Sequence, residues 1–125
     1  MTGAPVIHFE ISGSEPERLR GFFGELFGWS LDVQVPVAPE VSEAGQYGFV
    51  EAAPDGIPGG VGGGPGYPSH ALFYVGVPNV AEALDRAVAL GGARVMGPAL
   101  NPSGALVVGH FRDPEGNLVG VAGPE

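Results

Sequence analysis

The chain has 125 residues, room for one domain with a core that needs no covalent staples. It contains no cysteine, so disulfides, thiolate metal sites and cysteine nucleophiles are excluded. Five arginines, no lysine and fourteen acidic residues give a formal charge of −9, which repels phosphate backbones, disfavours nucleic acid and mildly favours a cationic ligand. The first role of such acidity is solubility. No apolar run reaches the roughly 18 residues of a membrane span. Met1-Thr2-Gly3-Ala4-Pro5 lacks the basic-then-apolar opening of a signal peptide, so the expectation is a soluble cytoplasmic protein that meets no membrane. Twenty-three glycines and 13 prolines border on a disordered composition, yet the 44% hydrophobic content and clear periodicity predict a folded chain.

Pro5–Ile11 alternates as a strand, with His8 and Glu10 on one face and Ile7, Phe9 and Ile11 on the other. Ser14-Glu15-Pro16-Glu17 opens a helix, with Ser14 as its cap and proline in the first turn. Leu19, Phe22, Phe23, Leu26 and Phe27 follow at helical spacing until Gly28. These phenylalanines and Trp29 are expected in the core, and Arg18 and Arg20 in solvent. Trp29–Val35 and Gln46–Glu51 read as strands, separated by a mobile loop from Pro36 to Gly45. A turn at Asp55-Gly56 leads to a strand through Val61. Gly60, Gly62 and Gly64 alternate, leaving one strand face without side chains. That pattern signals either close approach of a ligand or another backbone, with a roomy cavity, or simply a flexible linker from Gly62 to Ser69.

The second half repeats the first. His70–Val75 is a strand with His70, Leu72 and Tyr74 on one face; Tyr74 either lines a pocket or covers its floor. Pro78-Asn79 precedes a helix bearing Val80, Ala83, Leu84, Ala87, Val88 and Leu90, stopped by Gly91-Gly92. Ala93–Met96, Ala105–Phe111 and the segment after Gly116 complete it as strands. His8 to His70 and Pro16 to Pro78 are steps of 62, and Gly60 to Gly120 is a step of 60. A period near 60 present twice predicts a duplicated βαβββ module, residues 5–61 and 69–122, in one α+β domain. His8 should then overlie His70, and Gly60 should overlie Gly120. No phosphate loop, dinucleotide fingerprint or serine elbow is present.

This organisation, with Phe22-Phe23, Leu26-Phe27-Gly28-Trp29 after the first strand and Asp113-Pro114-Glu115-Gly116-Asn117 before the last, resembles the vicinal-oxygen-chelate superfamily. That group joins glyoxalases, bleomycin-resistance proteins and extradiol dioxygenases, and the resemblance spans essentially the whole chain. It implies a curved mixed sheet around a pocket, a homodimer and, in the catalytic members, one divalent metal: zinc, nickel, iron or manganese. His8 and His70 match two ligand positions. The two carboxylate positions are Gly60 and Gly120, which carry no donor, whereas an open metal site normally takes about three protein ligands. Weak or absent metal binding is therefore expected, and Gly120→Glu should restore affinity if the cavity has room.

The expected pocket lining is His8, Glu10, Gly60, His70, Leu72, His110 and Gly120. Glu10 is the candidate for proton transfer and a substitute ligand, and His110 holds a position that faces the pocket in fosfomycin-resistance relatives. The function implied is binding or sequestration of a small molecule. The alternative is a metal-dependent lyase, isomerase, epimerase or dioxygenase in which Glu10 or a histidine moves the proton.

Overall fold

A computed structural model of the chain describes residues 3–102 and 104–125; Met1 and Thr2 of the opening stretch lie outside the described residues. The elements run β1 (Val6–Gly13), α1 (Pro16–Phe27), β2 (Gly48–Val50), β3 (Gly59–Gly63), β4 (His70–Gly76), α2 (Val80–Ala89), β5 (Ala93–Leu100), β6 (Val107–Arg112) and β7 (Leu118–Gly123). The seven strands form one curved mixed sheet in the order β2-β3-β1-β4-β7-β6-β5. β1 and β4 pair antiparallel at its centre, and each takes the last strand of its own half, β3 or β7, as a parallel outer neighbour. Parallel neighbours need a crossover connection, which α1 and α2 supply.

Both helices lie over the face that carries Gly13 and Gly109. A Cβ built on Gly13 would touch Leu19 of α1, and one on Gly109 would touch Leu84 and Val80 of α2. Val80 and Leu84 are fully buried with Val121 beneath them. Burial of this extent is worth about 1.5–3 kcal/mol per side chain. Asn79 caps α2, its side chain accepting from the Glu82 N–H at 3.0 Å. α1 is capped differently from the expectation: Ser14 stays outside, Glu15 takes the cap position without a side-chain bond, and Pro16 opens the helix. Gly28, at φ 72°, ends it in the left-handed conformation that a side chain would resist.

Three further readings are corrected. The strand expected over Trp29–Val35 reduces to a single bridge between Asp32 and Phe49. The aromatic face of α1 is only partly covered: Phe22 and Phe27 are 59% and 58% exposed, while Phe23, Phe27, Trp29 and Phe9 pack ring against ring at centroid separations of 5.1–6.1 Å. Arg20 is not simply solvated; it donates to the backbone carbonyl of Gln46 and, at 3.3 Å, to its side-chain oxygen.

The register also corrects the correspondence between the halves. Glu10 pairs with Gly60, and Tyr74 pairs with Gly120. Aligning the two glycines therefore places Glu10 on Tyr74, a step of 64, which is also the step between the helix starts at Pro16 and Val80. His8 then corresponds to Leu72, not to His70. The 62-residue spacing of the histidines does not follow the strand pairing.

Two rows of side chains cross the face opposite the helices. One runs His8, Tyr74, Gly120, His110, Met96 from β1 to β5. The next runs Phe49, Gly60, Glu10, Leu72 from β2 to β4. Each row thus holds a glycine between large neighbours.

Candidate functional site

The glycines at 60 and 120 are not gaps. A Cβ on Gly120 would lie 2.4 Å from the Tyr74 ring, and one on Gly60 would lie 2.0 Å from the Tyr47 ring. Tyr74 leans along its row across Gly120 toward His110. Tyr47 lies over Gly60 and Gly62. The close approach inferred from the glycine pattern is real, but the visitor is an aromatic ring of the same chain.

Both rings deliver their hydroxyls to one carboxylate. Glu10 is 1% exposed. Its Oε1 accepts from Tyr47 at 3.0 Å and from Tyr74 at 2.9 Å. Its Oε2 accepts from His70 Nε2 at 2.7 Å, with His110 Nε2 at 3.8 Å. Beyond the tyrosines, His8 Nε2 meets the Tyr47 oxygen at 3.0 Å and His110 Nε2 meets the Tyr74 oxygen at 2.8 Å.

The proton order follows from simple counting. An ionised carboxylate only accepts, and each phenol carries one hydrogen, which it gives to Glu10. With Glu10 ionised, the phenol oxygens accept in turn, and His8 Nε2 and His110 Nε2 donate to them. Burial, reinforced by Glu10, holds the Tyr47 and Tyr74 phenols far above their ordinary value, which keeps them donors.

Tyr47 reaches this position through residues 36–47, of which 36–45 were expected to form a mobile loop and Gln46 and Tyr47 to open a strand that in fact begins at Gly48. Ala38, Val41, Ser42 and Tyr47 are buried against the sheet. The Ser42 hydroxyl accepts from the Gly63 N–H at 3.0 Å and donates to the Gly63 carbonyl at 3.1 Å. With Gly62 lacking a side chain, this strap lies flat on β3.

Strap and sheet enclose a cavity of about 170 Å³. Its walls are largely apolar, from Val37, Ala38, Val41, Phe49, Val108 and Ala122, with His8, Glu10, Tyr47, Tyr74 and Asn101 as polar points. The expected lining is therefore redistributed. His8 and Glu10 line the cavity. Gly60 and Gly120 lie beneath the tyrosines, Leu72 packs in the core under them, and His110 is buried behind Tyr74. His70 lines a separate groove with Ser12, Ser69 and the start of α1, and meets the network through Glu10 and edge-on through the His110 ring, centroids 5.7 Å apart. Tyr47, the strap and Asn101 were absent from the expected lining. The sequence signals for Tyr47 were the alternation of the expected strand Gln46–Glu51, which puts it with Phe49 on one face, and the alternating glycines, which read as close approach or as a linker.

A divalent ion fits this arrangement poorly. Among the described residues, no three His, Asp or Glu side chains are placed to share one. The Nε2 atoms of His8, His70 and His110 carry hydrogens directed at acceptors. The positions where carboxylates would stand are covered by rings.

Burial pushes the His8 and His110 imidazoles below their usual 6.5; Glu10 opposes this at both, and His70 lowers His110 further. Below that value the unfolded chain binds protons that the folded chain refuses. The stabilisation is complete above pH 6.5 and is lost as the pH falls through the depressed folded values. Melting temperature should therefore fall on acidification from roughly pH 7 to 5, and His110→Gln should flatten the curve. A melting temperature that rises over the same range contradicts the neutral assignment.

The fold and the pocket define a small α+β protein in which β1-α1-β2-β3 and β4-α2-β5-β6-β7 share one curved mixed sheet. The family model for the Glyoxalase/Bleomycin resistance protein/Dioxygenase superfamily matches residues 6–121, and the chain belongs to that family. Among solved structures, a hypothetical protein from Bacillus halodurans C-125 is similar at 14% identity and TM-score 0.65, covering 99% of this chain and 96% of that one. A Streptomyces coelicolor methylmalonyl-CoA epimerase in complex with 2-nitronate-propionyl-CoA is similar at 14% identity and TM-score 0.63, covering 98% and 95%. A superfamily member from Vibrio splendidus 12B01 is similar at 15% identity and TM-score 0.56, covering 97% and 99%. These identities speak for the fold alone. No curated protein matches the sequence.

Proposed function

We propose that this chain binds or sequesters a small molecule in the cavity beside Glu10, without a catalytic metal. The observation that carries the reading is the closure of two tyrosines and His70 on one buried carboxylate. Proton abstraction next to a carbonyl builds up an oxyanion, which needs donors or a metal aimed at it. Here the phenolic and Nε2 protons at the site are already spent on Glu10 or on the tyrosine oxygens. The same closure leaves Glu10 poorly placed to act as a free base, so binding is favoured over the metal-dependent lyase, isomerase, epimerase or dioxygenase alternative.

The homodimer implied by the family belongs to this proposal, and the exposed side chains of Phe22, Leu26 and Phe27 supply apolar surface for such a contact. No helix among the described residues is long and apolar enough to cross a membrane.

The test is metal analysis and melting of untagged protein with zinc, nickel, manganese and ferrous iron. The expected result is no stoichiometric metal and no stabilisation, since an ion that binds only the folded state raises its stability. Tight one-to-one binding that disappears in His8→Ala or His70→Ala overturns the metal-free reading.

A further inference from the structure

We infer that the cavity selects a ring-sized cation, an aromatic or cyclic amine that presents an ammonium group to Glu10 and His8. The inference rests on the binding reading above and adds the chemical class of ligand.

Size sets the first limit. A void of about 150 Å³ inside another protein accepts benzene. At about 170 Å³, this cavity takes one ring and a short substituent. The walls of Val37, Val41, Phe49, Val108 and Ala122 suit the apolar part of such a molecule.

Hydrogen-bond polarity sets the second. Of the polar residues in the lining, Tyr47 and Tyr74 give their only protons to Glu10 Oε1. His8 gives its Nε2 proton to Tyr47. What remains on these groups is acceptor capacity. His8 Nδ1 receives no hydrogen bond from any described residue, and Glu10 Oε2 has one close donor, His70, with His110 too distant to fill its second lone pair. Asn101 is itself engaged. A carboxylate or phosphate would face lone pairs and a buried negative charge, whereas an ammonium group would face groups that want its protons. The rings of Tyr47, Phe49 and Tyr74 add negative faces beside the same point. The overall charge of −9 acts in the same direction on approach.

Three probes of one ring size separate the possibilities: benzylamine, benzyl alcohol and benzoate, titrated near neutral pH and followed by protein NMR shifts and calorimetry. The expected order is benzylamine, then benzyl alcohol, then benzoate, with at least about tenfold between amine and acid, the factor expected of a charge-assisted bond. Glu10→Gln should reduce the preference of amine over alcohol to within about threefold. The ranking in the unmodified protein is decisive by itself, so a variant that fails to fold leaves the test intact. Benzoate equal to or tighter than benzylamine, or an amine no better than the alcohol, overturns the cation inference and leaves the binding pocket standing. Failure of all three to enter overturns the pocket reading and this inference together.

Discussion

Gly120→Ala is expected to lower the melting temperature by about 10 °C, and Gly120→Glu to prevent stable folding rather than to create a metal site. The added Cβ at Gly120 falls 2.4 Å from Tyr74 Cδ1 and 2.6 Å from Cε1, well inside van der Waals contact. Overpacking a core by one carbon typically costs about 1–3 kcal/mol. The ring cannot swing aside freely, because its hydroxyl holds Glu10 at 2.9 Å and His110 at 2.8 Å. Loss of those bonds adds roughly 1 kcal/mol each. The lower end of that sum, about 3 kcal/mol, corresponds to a shift of about 10 °C for a chain of this size. Glutamate would add a second carboxylate beside Glu10 with no donor left for it. Thermal melts of the two variants check this. Gly120→Ala melting within about 2 °C of the parent, a shift worth under 1 kcal/mol, or Gly120→Glu folding and taking zinc one-to-one, defeats the packing account.

The second large effect belongs to Glu10. Glu10→Ala should cost about 3–5 kcal/mol, the usual range for removing one partner of a buried charged network. It leaves the Tyr47 and Tyr74 hydroxyls and the His70 N–H inside the fold with no common acceptor. Tyr74→Phe alone should cost about 1–2 kcal/mol, since its hydroxyl is both donor and acceptor. In the Glu10→Ala background the same change should cost about half as much, because one of the two bonds it removes is already gone. Urea denaturation of both single variants and the double variant reads this coupling as a midpoint shift at constant slope. Additive costs would mean that the tyrosine and Glu10 act independently.

The elements of the fold were readable because they repeat local rules. Alternation marked β1 and β4, 3.6-residue spacing marked both helices, and Gly28 marked the end of α1. The terminal turn was equally plain: Asp113 accepts from the Glu115 and Asn117 backbone N–H groups, and Gly116 takes φ 90°. What misled was correspondence at a distance. His8 and His70 share a residue type and a plausible spacing, but strand register is set by pairing, and the pairing matches Glu10 with Tyr74 instead.

Half of the site was visible for the same local reason. His8, Glu10, His70, Tyr74 and His110 lie on strands whose alternation aims them to one face. Tyr47 lies just before β2, inside the strand expected over Gln46–Glu51, whose alternation puts it on the face of Phe49, yet it is absent from the expected lining. The empty face of Gly60 and Gly62 was a second pointer, but it read equally as close approach of a ligand or backbone and as a flexible linker. The aromatic side of α1 failed in the opposite sense, since helical spacing reports which side chains align and not whether a neighbour reaches them.

The two halves of the sheet share a backbone plan and divide the chemistry between them. At matched positions the first half contributes an acid, Glu10, and the second a phenol, Tyr74; likewise Phe49 stands where the second half has His110. The two halves of the sheet are therefore not interchangeable. Two copies of the first half would bring a pair of carboxylates to the centre with too few protons between them, and two copies of the second would assemble phenols and imidazoles around no anion. The symmetry of the fold has become a division of labour, and the unit that inheritance must preserve is the pair.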